Sequence, residues 1–168
     1  MQTNAYPIQD ISDNTTGCCP RFKPEGWDNQ LLHFKDKKFL RATTRSAMHI
    51  PWTMGQVFTR VQTHIEDEMA ADPAKEIVLS RDISPWEAEH YFAVNKDVPD
   101  EEMTTLSGDF ITRVFEGPYR KAKDFSHDME VAATAMGKTA KRVFFFYTTC
   151  PKCAKAYGEN YMVGVAEI

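Results

Sequence analysis

From residue 103 to 119 the chain alternates Phe110, Thr112 and Val114 with Ile111, Arg113 and Phe115. Successive side chains leave a strand on opposite sides, so this run predicts a strand with at least one buried face. It stops at Glu116-Gly117-Pro118-Tyr119. There Gly117 tolerates a turn, and Pro118, with its fixed φ and missing donor, suits the first position of a helix. Beyond it Tyr119, Ala122, Phe125, Met129, Ala132, Ala133 and Met136 recur in steps of three and four. That spacing predicts a helix with one apolar stripe laid on a sheet, ended by Gly137. Strand, corner and helix form the central unit, and the Glu116 carboxylate and Tyr119 phenol sit at the corner.

The first half of the chain reads the same way. Residues 38–47 predict a strand, and His49-Ile50-Pro51-Trp52 turns the chain. Met54, Val57, Phe58, Val61, Ile65 and Met69 make a second helical stripe, closed by Asp72-Pro73. Strands are expected at residues 76–81 and 88–95. Between them Ser84-Pro85-Trp86-Glu87 is a small capping box whose turn projects Trp86. After the second helix come strands at 142–148 and 160–168, separated by a loop at 150–158. The order βαββ occurs twice. The expected fold class is therefore α+β: two βαββ halves forming a mainly antiparallel sheet with two helices on one face. Residues 1–37, punctuated by Gly17, Pro20, Pro24 and Gly26, read as a loop-rich extension held on a domain at 38–168 by Phe22 and Trp27, with the first dozen residues mobile.

Length and charge narrow the function. A chain of 168 residues suits one domain and buries roughly 70% of its unfolded surface. The net charge is −4 and the pI near 5.7, with Lys and Arg spread through the chain. Neither nucleic acid nor a membrane surface is the expected partner. No apolar run approaches a membrane span, and the N-terminus lacks the basic start and apolar segment of a secretory signal, so the expected location is the cytoplasm. There Cys18, Cys19, Cys150 and Cys153 are expected as thiols or metal ligands rather than disulfides. The oligomeric state is left open between monomer and homodimer.

The stretches TGCCPRF, His49-Ile50-Pro51, FEGPY and YTTCPKCAKAYGENY resemble a prokaryotic family whose members often carry only the label hydrolase. More broadly, the repeated element order with a Gly-Pro-Tyr corner is similar to the GyrI-like or SOUL superfamily over residues 38–168. That resemblance implies a cleft between two halves for a flat, apolar molecule, walled by aromatics and anchored by a buried acid. The superfamily includes hydrolases that open cyclopropane-bearing natural products. In many relatives an acid stands two positions before a Tyr in the strand after the second helix. Here Phe145 stands two before Tyr147, which leaves Glu116 or Glu87 to supply the acid.

The candidate chemistry divides in two. In a small-molecule site, Glu116 and Tyr119 act on a bound water, with His49 as a further catalytic candidate. Trp52, Trp86, Tyr147, Phe110 and Tyr157 then form the walls, and no cofactor is required. Glu116 has two readings. Either an apolar setting raises its pKa, or the N-terminus of the following helix lowers it. The alternative centres on Cys150-Pro151-Lys152-Cys153, which has the spacing of half a zinc site. The other pair, Cys18 and Cys19, is vicinal, and successive side chains diverge. One of the two with Cys150, Cys153 and a His such as His49 is the expected zinc set. The same CxxC can instead open a short helix and serve as a reactive thiol. His90, in a strand, is expected to face solvent.

Overall fold

Two long strands dominate the architecture: β1 (Leu31–Ala47), of 17 residues, and β5 (Glu102–Glu116), of 15. The computed structural model describes residues 2–168. It divides into a unit of Asp36–Leu106 and a unit holding the chain up to Lys35 together with Ser107–Ile168, so both boundaries fall inside a strand.

In the Asp36–Leu106 unit the strand order is β2-β1-β4-β3, all antiparallel, with β2 at Ile50–Pro51, β3 at Val78–Ser84 and β4 at Glu87–Ala93. The register sets Phe39 opposite Ala93 and Arg45 opposite Glu87. Helix α1 (Met54–Asp67) lays Val61 and Ile65 on Leu40, Ala42 and Phe92, with Val57 and Phe58 partly buried beside them. The stripe matches expectation up to Ile65. Met69 does not: it is 80% exposed with φ +49. The Ala70 N–H returns to the Ile65 carbonyl at 2.9 Å, closing the helix by a Schellman-type cap well before Asp72-Pro73.

In the other unit the order is β6-β7-β5, again antiparallel, with β6 at Arg142–Tyr147 and β7 at Tyr161–Glu167. Helix α2 (Ala122–Ala135) buries Met129 and Ala133 against Ile111 and Ala166, and Phe125 stacks on Phe115 at 4.5 Å. At Gly164 of β7 a Cβ would lie 2.6 Å from Met129 Sδ, so any larger residue there must displace the methionine that seats the helix. Phe22 and Trp27 anchor the N-terminal segment within this unit. They are 7% and 2% exposed, and the Trp27 ring lies 5.6 Å from Phe146. Asn4 is tied as well: its side chain bonds both the carbonyl and the N–H of Lys35.

The α+β expectation, two βαββ halves giving a sheet with two helices on one face, is overturned. Among the described residues strand outweighs helix, and there are three short helices rather than two. The third, α3 (Pro151–Tyr157), stands between β6 and β7 where a loop was expected, so the second half no longer repeats the first. Strand β1 is also longer than the sequence reading made it, beginning at Leu31 rather than at residue 38. Leu32 and Phe34 already alternate into the core at 7% and 1% exposure, but Lys35, Asp36, Lys37 and Lys38 follow them and masked that signal. The element order that suggested the GyrI-like superfamily is thereby lost. No helix among the described residues is long and apolar enough to cross a membrane.

Candidate functional site at the corner after β5

Glu116 is exposed at the end of β5, opposite Tyr161 of β7. Gly117 then takes φ +154, and its backbone is clamped by one residue: Gly117 N–H donates to the Asn160 carbonyl at 3.0 Å, and Asn160 Nδ2 donates to the Gly117 carbonyl at 2.8 Å. Pro118 stays extended and caps a short 3-10 turn at Tyr119–Lys121, so α2 proper begins at Ala122. The turn points Tyr119 back at the sheet. Its ring lies 5.7 Å from that of Tyr147, and its hydroxyl donates to the Thr149 carbonyl. Burial pushes the phenol pKa up, so Tyr119 is a standing hydrogen-bond donor.

Two buried polar atoms at this corner have no hydrogen-bond partner among the described residues: Thr149 Oγ1 and Asn160 Oδ1. They belong to the two residues that Tyr119 and Gly117 hold. Buried polar atoms are nearly always satisfied, and an orphan costs about 1–3 kcal/mol. Each can take a further hydrogen-bond partner, from water or from a bound molecule.

The cysteines converge beside it. Cys150 directly follows Thr149 and caps α3. Cys153, one turn on, faces the same side and is buried. Cys18 and Cys19 come from the N-terminal segment, where the Tyr157 hydroxyl donates to the Cys19 carbonyl at 2.6 Å. The Cys150 N–H donates to Cys19 Sγ at 3.5 Å, and Cys153 Sγ lies 3.3 Å from Thr16 Oγ1. All four Sγ atoms lie within 4.8 Å of one another. The contact with Thr16 holds the Cys153 thiol down at about 7, whereas burial pushes Cys19 up. The two chemistries that the sequence set apart, the acid and phenol corner and the thiols, are therefore neighbours through Thr149 and Cys150.

The remaining candidates scatter. Phe110 is fully buried with its ring 5.0 Å from Phe34, a core residue. Tyr157 is engaged by Thr16 and Cys19, with Arg21 stacked over its ring at 4.5 Å. In the Asp36–Leu106 unit, His49 is exposed with φ +67, and its Nδ1 pairs with Asp82 Oδ2 at 2.7 Å. Trp52 and Trp86 are 67% and 59% exposed on the adjoining hairpins, so they present open surface. A cavity of about 190 Å³ opens elsewhere, among Ile8, Asp10, Arg21, Phe22, Lys23 and Trp27.

Sequence reasoning missed two buried groups in β4. His90 is 1% exposed rather than solvent-facing; Thr44 Oγ1 and Ser80 Oγ lie 2.8 and 2.7 Å from its two nitrogens. Glu89 is buried as well. Burial works against its charge, but Arg81 at 2.5 Å and Arg41 at 2.9 Å outweigh it and hold its pKa below the usual range. The cause is the uninterrupted burial from Ala88 to Ala93, visible only in the structure: a strand covered on both faces sends even its polar residues inward.

A family model described as Bacterial hydrolase matches residues 9–168. No curated protein matches the chain.

Proposed function

Because the chain belongs to the bacterial hydrolase family, we propose that it hydrolyses a small, mainly apolar electrophile at the corner between β5, β6 and β7. The observation that carries this reading is the orphan pair, Thr149 Oγ1 and Asn160 Oδ1. A hydroxyl can donate to a substrate oxygen, and an amide oxygen accepts from a water. In this reading Glu116, next to the Gly117 that Asn160 clamps, serves as the general base. It takes a proton from water as the water oxygen bonds to the electrophilic carbon. The bond to the leaving group breaks, and the proton is returned to that group. Tyr119 spends its hydrogen on the Thr149 carbonyl and so acts as a positioning residue. Tyr147, its ring tilted against that of Tyr119, supplies an apolar wall.

The test is turnover of a panel of aryl esters, lactones and epoxides by the wild type and by Glu116→Gln. A general base contributes about 10²–10⁴-fold, so kcat/KM is expected to fall at least 100-fold with folding unchanged by circular dichroism. An unchanged rate in Glu116→Gln, or a wild type inert to the whole panel, overturns the reading.

A further inference from the structure

We infer that Cys18, Cys19, Cys150 and Cys153 bind one zinc ion as a four-thiolate centre that fastens the N-terminal segment to the start of α3. Zinc in such a site has Zn–S bonds of about 2.3 Å, which makes the edge of its sulfur tetrahedron about 3.8 Å. Cys18 Sγ and Cys19 Sγ stand 3.8 Å apart. The divergence expected of vicinal cysteines is therefore absent here, and no histidine is needed to complete the set. The full group, within 4.8 Å, needs only small side-chain rotations to close on an ion. All four cysteines are free, so the sulfurs are available as ligands.

One further feature suits a metal. The Cys150 N–H already points at Cys19 Sγ. A donor of this kind offsets the negative charge of a metal-bound thiolate and orients it. Cys19 and Cys150 are 131 residues apart in sequence, so the fold itself brings the two pairs together. Four thiolates around one point repel each other unless a cation joins them, and an all-sulfur tetrahedral set selects zinc over the hard cations that prefer oxygen. The inference does not depend on hydrolysis at the neighbouring corner.

The experiment is metal analysis of the full chain, expressed with zinc and purified without chelator, alongside Cys19→Ser and Cys153→Ser. About one equivalent of zinc is expected in the wild type and its loss in both variants. Cobalt exchanged into the wild type should give intense thiolate-to-metal charge transfer and the visible bands of a tetrahedral ion, a readout that survives if the variants fail to fold. A wild type without metal, zinc retained in either variant, iron in place of zinc, or a weak octahedral cobalt spectrum overturns the assignment.

Discussion

His90 shows how much one residue can set. Its ring is enclosed by Thr44, Ser80 and the edge of Phe58, and the neutral form satisfies both hydroxyls, donating through one nitrogen and accepting through the other. Burial lowers its pKa from 6.5 to about 4. Between those values the unfolded chain holds a proton that the folded chain does not. Stability therefore rises with pH across that window and is lost as pH falls from 6.5 towards 4. At pH 5 the loss from this group is about 2 kcal/mol, at 1.36 kcal/mol per pH unit. Urea unfolding at pH 7 and pH 5 should show that drop, and His90→Asn should remove most of it. Equal slopes in the two proteins would mean that His90 is not the group responsible. None of this was legible in the sequence, because a strand His reads as a surface residue until both faces of its strand are known to be covered.

Among the elements, the β5 corner and α2 were the most legible, since alternation, Gly117-Pro118 and a helical stripe each point to the same structure. Helix α3 was the least. Residues 150–158 read as a loop, with a short helix opened by the CxxC as the other reading; Pro151 and Gly158 open and close that helix, Gly158 at φ +72. The seat of α2 makes a sharper claim. Met129 is fully buried over Gly164, and an added methyl would collide with its sulfur at 2.6 Å. Gly164→Ala should therefore destabilise by about 1–3 kcal/mol through overpacking. Thermal unfolding measures it, and the same substitution made in a Met129→Ala background, where the opposing sulfur is gone, should cost less than it does in the wild type. A neutral Gly164→Ala would show that the helix shifts freely.

For the molecule as a whole, the sequence supplied the cysteines and the corner but not their meeting. Spacing of two residues between Cys150 and Cys153 is visible in a string. The approach of Cys19 across 131 residues is not, and neither are orphan atoms, which exist only once every neighbour is placed. Those atoms separate a site kept for function from a flaw in packing, because the two make opposite demands on stability and turnover. Replacing Thr149 with the near-isosteric valine removes an unsatisfied hydroxyl, which should raise global stability by about 1–3 kcal/mol. If the hydroxyl serves a substrate, the same change should cost activity. The decisive measurement is unfolding free energy and ester turnover on the same preparation of Thr149→Val. The account predicts a more stable and at least 10-fold slower protein; a variant that is less stable, or that turns over at the wild-type rate, contradicts it.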